Sequence, residues 1–232
     1  MAKISIGLDI GISSTKVVSL EKDKDQVRLL ALGSIATPSP GLISDTETDL
    51  EAVATSIKKL MAAAKIDGGE VIVTLPESKV FTRVIDDLPY LTDTELASAI
   101  KYVSEEFIPM PLTEVNLNWQ VLFRSKEVGR ARTVVLIIAS PKNVVSKYIK
   151  VLTYAGLKPK AMETETIAVT RSLVGNNPFS PATLLVALGA TTTDFATVSK
   201  GLIWLTRSIS TGGSVLSRAL AQHFNFEITQ AE

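Results

Sequence analysis

Asp9, Gly11, Ser13, Ser14, Thr15 and Lys16 crowd into one short stretch, ISIGLDIGISSTK from residue 4. They bring a carboxylate, a glycine, three hydroxyls and an ammonium. That set can hold a phosphate chain. Gly11 lets the backbone approach closely, N–H groups and hydroxyls donate to phosphate oxygens, and Lys16 supplies charge. Asp9, at the end of an apolar run, can hold Mg²⁺ directly or through water. Apolar residues 4–8 and 17–20 flank the turn, so the stretch reads as strand, glycine turn, strand. It lacks the Gly-Lys-Ser/Thr entry into a helix that marks a P-loop. Taken alone, the same residues also describe a plain hairpin with a polar turn.

A second copy weighs against the plain reading. Residues 184–198 read LLVALGATTTDFATV. With Gly189 set on Gly11, Thr191, Thr192 and Thr193 fall on Ser13, Ser14 and Thr15, and Ala190 completes the turn. Two such hairpins predict a duplicated fold with phosphate gripped between the copies. Asp9 aligns with Ala187 and Lys16 with Asp194, so the second copy has no carboxylate at its strand end. Further on, Thr211-Gly212-Gly213-Ser214 opens a helix. Free N–H groups there, at Gly212 and Gly213, would suit phosphate, although ordinary helix entry explains them equally.

Composition narrows the classes. The chain has 232 residues, 46% of them hydrophobic, enough for one large core or two modest ones. Its longest apolar run, residues 134–139, is too short to span a bilayer. The N-terminus lacks a signal-peptide pattern, which predicts a cytoplasmic chain. Cysteine is absent, so there is no disulfide framework and no thiolate zinc site. Lysine plus arginine equal aspartate plus glutamate at 24 each, which argues against nucleic acid as the main partner. His223 is the single histidine, leaving little for a Ser-His-Asp triad.

The hairpins need a frame. Residues 27–36 read as a third strand, ended by Thr37-Pro38-Ser39-Pro40-Gly41. Thr48 to Glu51 has capping-box spacing, followed by Leu50, Val53, Ala54, Ile57, Leu60, Met61 and Ala64 at helical period. Asp67-Gly68-Gly69 closes that helix, and residues 71–75 form a strand. Residues 79–88 are another strand. Thr92 to Glu95 makes a second capping box before a helix faced by Leu96, Ile100, Val103 and Phe107, which Pro109 and Pro111 end. Residues 115–123 alternate as a strand with Trp119 toward a core. A charged turn, 126–130, and a buried strand, 133–139, follow. Ser140-Pro141 predicts a helix start, and Gly156 its end. A strand at 158–162 leads to a helix over 164–173. Gly175-Asn176-Asn177-Pro178 is the clearest boundary. After the second hairpin come a strand, 201–209, and a helix. Its Val215, Leu216, Ala219, Leu220, His223 and Phe224 predict a buried face, with His223 in packing. Thr229 to Glu232 forms a third capping box with no helix after it. The chain therefore reads as a fragment of a longer protein.

Three strands, helix, strand, with the hairpin in two copies, resembles the actin/Hsp70/sugar-kinase superfamily. That implies an α/β, actin-like ATPase (ribonuclease H-like) fold. Residues 9–16 match its first phosphate motif and 185–193 its second. Residues 163–170 match one connecting helix and 210–214 the second connector. The middle block is more specific. Asp87-Leu88-Pro89-Tyr90-Leu91-Thr92-Asp93-Thr94-Glu95-Leu96, continuing through Glu105-Glu106-Phe107-Ile108-Pro109-Met110-Pro111-Leu112 to Trp119-Gln120-Val121-Leu122, resembles the inserted subdomain of the PilM family. These are actin-like proteins of type IV pilus assembly, related to the cell-division protein FtsA.

On this resemblance residues 1–75 and 131–177 form the first core subdomain and 76–130 the insert. Residues 178–232 begin a second core subdomain, leaving that lobe incomplete and without its adenosine loop. The resemblance implies an adaptor at the inner face of the cell membrane, binding ATP and Mg²⁺ and working with other pilus assembly proteins. It docks the cytosolic N-terminal peptide of a PilN-like membrane protein in a groove to which the insert contributes. Ala187 stands where the family's second motif has an Asp that helps hold metal and water, so the resemblance implies binding with at most weak ATPase activity. The alternatives are an FtsA-like division protein and an ATPase or kinase of the superfamily. For those Glu163 and Glu165 are the candidate catalytic carboxylates, although a helix N-terminus favours acids in any case.

Overall fold

A computed structural model of the chain describes residues 3–24, 26–129, 131–175, 177 and 179–231. In chain order its elements are β1 (Lys3–Ile10), β2 (Ser14–Asp23), β3 (Gln26–Ala36), α1 (Glu47–Ala63), β4 (Glu70–Leu75), β5 (Phe81–Leu88) and α2 (Asp93–Phe107). Then follow β6 (Val115–Ser125), β7 (Arg132–Pro141), α3 (Lys142–Ala155), β8 (Lys158–Thr164) and α4 (Glu165–Leu173). The last are β9 (Thr183–Leu188), β10 (Thr193–Ser199), β11 (Leu202–Ile209), α5 (Gly213–Phe224) and α6 (Ile228–Ala231). They group into two compact units: Met1–Pro76 with Asn143–Glu165, and Glu77–Lys142 with Thr166–Glu232.

The first unit is built on a five-stranded sheet of order β3-β2-β1-β4-β8. β1, β2 and β3 form an antiparallel meander, while β4 and β8 run parallel to β1. The alternation in β1 and β2 puts Ile6, Leu8, Ile10 and Val17 on one buried face. α1 brings Leu50, Val53, Ile57 and Leu60, all at most 3% exposed, as its buried side. Gly33 makes room for it: a Cβ there would lie 2.9 Å from Leu60 Cδ1. The N-cap of α1 is Thr46, whose hydroxyl accepts from the Asp49 N–H at 3.4 Å, two residues before the expected Thr48. Glu47 in the first turn is held by Lys150 and Tyr154 of α3, and Lys147 pairs with Asp45 at 2.5 Å.

The second unit holds two three-stranded sheets, β5-β7-β6 and β11-β10-β9. α2 covers one face of the first. Leu96 and Ile100 fill the space over Ile85, Leu88, Val135 and Ile137. The capping box forms as read: Thr92 N–H donates to Glu95 Oε2 at 2.8 Å, and the Glu95 N–H donates back to the Thr92 hydroxyl at 3.4 Å. β11 packs against β5 in the same unit.

Four expectations are corrected here. The insert was expected to stop at residue 130, with 133–139 in the core subdomain. Instead β7 is the central strand between β5 and β6, which explains why that run is apolar on both faces. Ser140 and Pro141 do not start a helix. They still pair with Asn116 and Val115, and α3 begins at Lys142. Trp119 lies on β6, an edge strand, and is 40% exposed instead of filling a core. The apolar face of α5 is open, with Leu216 57% and Phe224 55% exposed. His223 is exposed too, its ring edge-on to Phe224 at 4.7 Å. Arg130 of the charged turn, Asn176 and Pro178 of the boundary, and Glu232 of the third capping box lie outside the described residues.

The capping box gives a direct stability test. The Thr92 contacts hold the Glu95 carboxyl below its usual range, so its contribution is present above the unfolded carboxylate pKa and lost as pH falls through the folded one. Thr92→Ala is expected to lower stability in urea by about 1 kcal/mol at neutral pH. The gap between variant and parent should narrow as the solution is acidified.

Candidate functional site

The two hairpin turns close in the same way. In the first, the Gly11 N–H donates to the Ser14 carbonyl at 3.1 Å; in the second, the Gly189 N–H donates to the Thr192 carbonyl at 2.8 Å. Glycine is required at both places by close approach. A Cβ would sit 2.9 Å from Ser14 O at one and 3.0 Å from Thr192 O at the other. The alignment made on residue types is thus reproduced in the backbone. Among the described residues, the N–H groups of Ile12 and Ser13, and of Ala190 and Thr191, take no backbone acceptor. Two successive N–H groups without a backbone acceptor are the kind of arrangement that suits an anion. Ile12 was not among the expected contacts, since a main-chain donor leaves no mark in residue type.

Ser13 and Thr191 are exposed and Ser14 and Thr192 half-buried, as a ligand would require. Thr15 and Thr193 are placed differently. Thr15 is fully buried, its hydroxyl 2.9 Å from that of Thr37, which in turn donates to the Gly11 carbonyl at 2.8 Å. Thr193 donates to the Thr211 carbonyl at 2.6 Å. Both tie the turn to the strand behind it, so their hydroxyls are already engaged.

Gly212 and Gly213 are likewise engaged. The N–H groups of Gly213 and Ser214 donate to the carbonyls of Gly189 and Ala190, each at 2.9 Å. The start of α5 is therefore docked on the hairpin, not open to an anion. Gly212 is extended, with φ −141°, and its role is space. A Cβ would meet Gly189 O at 2.6 Å and Ala190 O at 2.7 Å.

In the first unit, Asp9 and Thr74 lie at the C-terminal ends of the parallel strands β1 and β4, beside the end of β8, where open α/β sheets carry their ligands. Asp9 Oδ1 accepts from the Thr74 hydroxyl at 2.8 Å, and Oδ2 lies 3.5 Å from Lys16 Nζ. With side chains 34% and 60% exposed, that ion pair is weak and can yield to a ligand. Glu165 is half-buried at the first turn of α4. Tyr148 of α3 is 4% exposed, and burial, then the charges of Glu165 and Asp9, push its hydroxyl pKa up. It stays a neutral donor near two carboxylates. Thr74 and Tyr148 were not expected here: one read as strand, the other as a helix face. Among the described residues no three His, Cys, Asp or Glu cluster as a metal site. No described helix is long and apolar enough to cross a membrane.

The docking of α5 yields a paired prediction. Gly212→Ala forces backbone apart and should cost roughly 1–3 kcal/mol. A Cβ at Gly213 meets only Gly189 O, at 3.7 Å, so Gly213→Ala should be neutral or slightly stabilising. Thermal unfolding of the two variants side by side decides this.

The geometry agrees with known relatives. The family described as type IV pilus assembly protein PilM matches residues 7–232. A chain of the PilM-PilN type IV pilus biogenesis complex superposes with a TM-score of 0.81 at 26% identity, over 98% of this chain and 67% of that one. The ethanolamine utilization protein EutJ of Carboxydothermus hydrogenoformans superposes with a TM-score of 0.59 at 15% identity, over 99% and 60%. The cell division protein FtsA of Enterococcus hirae is 21% identical over 246 residues, 98% of this chain and 56% of that protein. The chain thus spans about half the length of this curated relative. Its fold is that of the actin-like ATPases, and the chain belongs to the PilM family of type IV pilus assembly proteins.

Proposed function

We propose that the chain is a cytoplasmic adaptor of type IV pilus assembly. It docks the N-terminal cytosolic peptide of a PilN-like inner-membrane protein and carries a Mg²⁺-nucleotide as a stabilising ligand. The observation that carries this reading is the likeness, over nearly the whole chain, to a chain of the PilM-PilN complex. The insert, built from β5, α2, β6 and β7, supplies part of the peptide groove.

For the nucleotide, each glycine turn offers backbone donors and exposed hydroxyls. Gly11, Ser13, Ser14 and Lys16 serve in one, and Gly189, Ala190, Thr191 and Thr192 in the other. Thr15, Thr193, Gly212 and Gly213 act behind them, setting turn shape. Asp9 is suited to a hydrated Mg²⁺ once Lys16 turns to phosphate. Turnover is not supported, because Ala187 offers no carboxylate to orient an attacking water.

Calorimetry with the cytosolic N-terminal peptide of a PilN-like protein tests the adaptor reading. Binding both with and without Mg²⁺-ATP is expected. Its absence in both conditions, from a folded chain, would sink the reading. In the same samples, phosphate release from Mg²⁺-ATP should be no faster than from Asp9→Asn; a clear excess would mean an enzyme.

A further inference from the structure

Charge in this chain is balanced overall but not locally. Residues 124–132 read RSKEVGRAR, four basic residues and one acid in nine positions. They make the turn that joins β6 to β7 in the second unit. Its shape is set from within. The Ser125 hydroxyl accepts from the Glu127 N–H at 3.2 Å, and Gly129 takes a left-handed φ of 77°. Between them Val128 is fully exposed. A single exposed valine is ordinary; what sets this one apart is its setting.

The cations around it are already laid out. Lys126 Nζ lies 4.8 Å from the centre of the Tyr90 ring, and the Arg132 guanidinium lies 5.6 Å from that of Phe123. The ring faces hold both at the surface. Among the described residues neither pairs with a carboxylate, whereas Arg124 is held by Asp93 at 2.8 Å. Phe123, Arg124, Ser125, Glu127, Gly129 and Arg132 line an open cavity of about 710 Å³ beside the turn. That is the size of a small-molecule site, roomy enough for a phosphate headgroup.

Free cations next to a projecting apolar side chain match a bilayer of anionic lipid. The basic groups meet headgroup phosphates, and the apolar one enters the boundary below them. An acidic protein would also meet the charge, but one projecting valine offers it little apolar area. A bilayer accepts that side chain without a shaped pocket. We propose that the β6–β7 turn is a membrane contact, in which Lys126 and Arg132 bind anionic headgroups and Val128 enters the lipid surface. The contact needs neither nucleotide nor docked peptide. On the adaptor reading, a membrane-anchored partner would hold the chain near the bilayer, where a weak contact of this kind is enough.

Sedimentation with vesicles tests it, using phosphatidylcholine alone and phosphatidylcholine with phosphatidylglycerol in equal parts. The samples are the parent chain, Lys126→Gln/Arg132→Gln, Val128→Asp and Glu127→Lys, each checked for folding by circular dichroism. The parent should bind the mixed vesicles and not the neutral ones, and added salt should weaken it. Each basic residue at an anionic surface strengthens binding about five-fold, so the double variant should lose about 25-fold. Val128→Asp should also lose binding. Glu127→Lys should bind more tightly, a gain that misfolding cannot produce. Equal binding of the parent to both vesicle types, or to neither, overturns the inference, as does a double variant or Val128→Asp that binds like the parent. Retention of the parent on polyglutamate but not on mixed vesicles would assign the turn to an acidic protein and overturn it too. With no peptide in the sample, the adaptor reading stands or falls separately.

Discussion

Each glycine turn is held shut from behind by a buried threonine hydroxyl, and the rest of the site depends on that contact. Thr15 reaches Thr37, which captures the Gly11 carbonyl; Thr193 reaches the Thr211 carbonyl. In both hairpins the third strand is thereby fastened to the turn. Deeply buried polar groups are normally paired; here that pairing fixes the Gly11 carbonyl in the first copy, while the Gly213 and Ser214 N–H groups fix the Gly189 and Ala190 carbonyls in the second. What remains unspent are the successive N–H groups and outer hydroxyls. The cradle is therefore made by internal satisfaction, not by the residues that would touch a ligand.

Around that shared device the copies diverge. The first unit buries Ile6, Leu8 and Ile10. Their counterparts Leu184, Val186 and Leu188 are 55–61% exposed. The second hairpin is instead braced by α5, docked end-on through Gly213 and Ser214. The ionic rung differs as well: Asp9 faces Lys16 in one copy, and Ala187 faces Asp194 in the other. One backbone device thus supports two electrostatic arrangements.

What the sequence made legible followed local chemistry. Gly11 and Gly189 could be paired because the turns need glycine and the hydroxyls keep their spacing. The box at Thr92 was readable because its reciprocal partner, Glu95, lies within one helical turn. Errors arose where a distant partner decides the outcome. Thr48 loses the cap to Thr46 by two residues, a difference too small for propensity to settle. The apolar run of β7 fits a buried strand in any sheet, and only its pairing with β5 and β6 assigns it. Gly212 looked like an open helix entry, but its lack of a side chain serves the Ala190 and Gly189 carbonyls. Asp194 was read by position along the strand, where it aligns with a lysine. Across the strand it stands opposite Ala187, and register is not written in any single segment.

The central claim is that two equivalent glycine turns form the phosphate contacts. Amide-resolved NMR of the chain titrated with Mg²⁺-ATP tests it most directly. The account predicts that the largest shifts fall on Ile12 and Ser13 in the first unit and on Ala190 and Thr191 in the second. Shifts that spare both turns, or that centre on the start of α5 at Gly213 and Ser214, would contradict it.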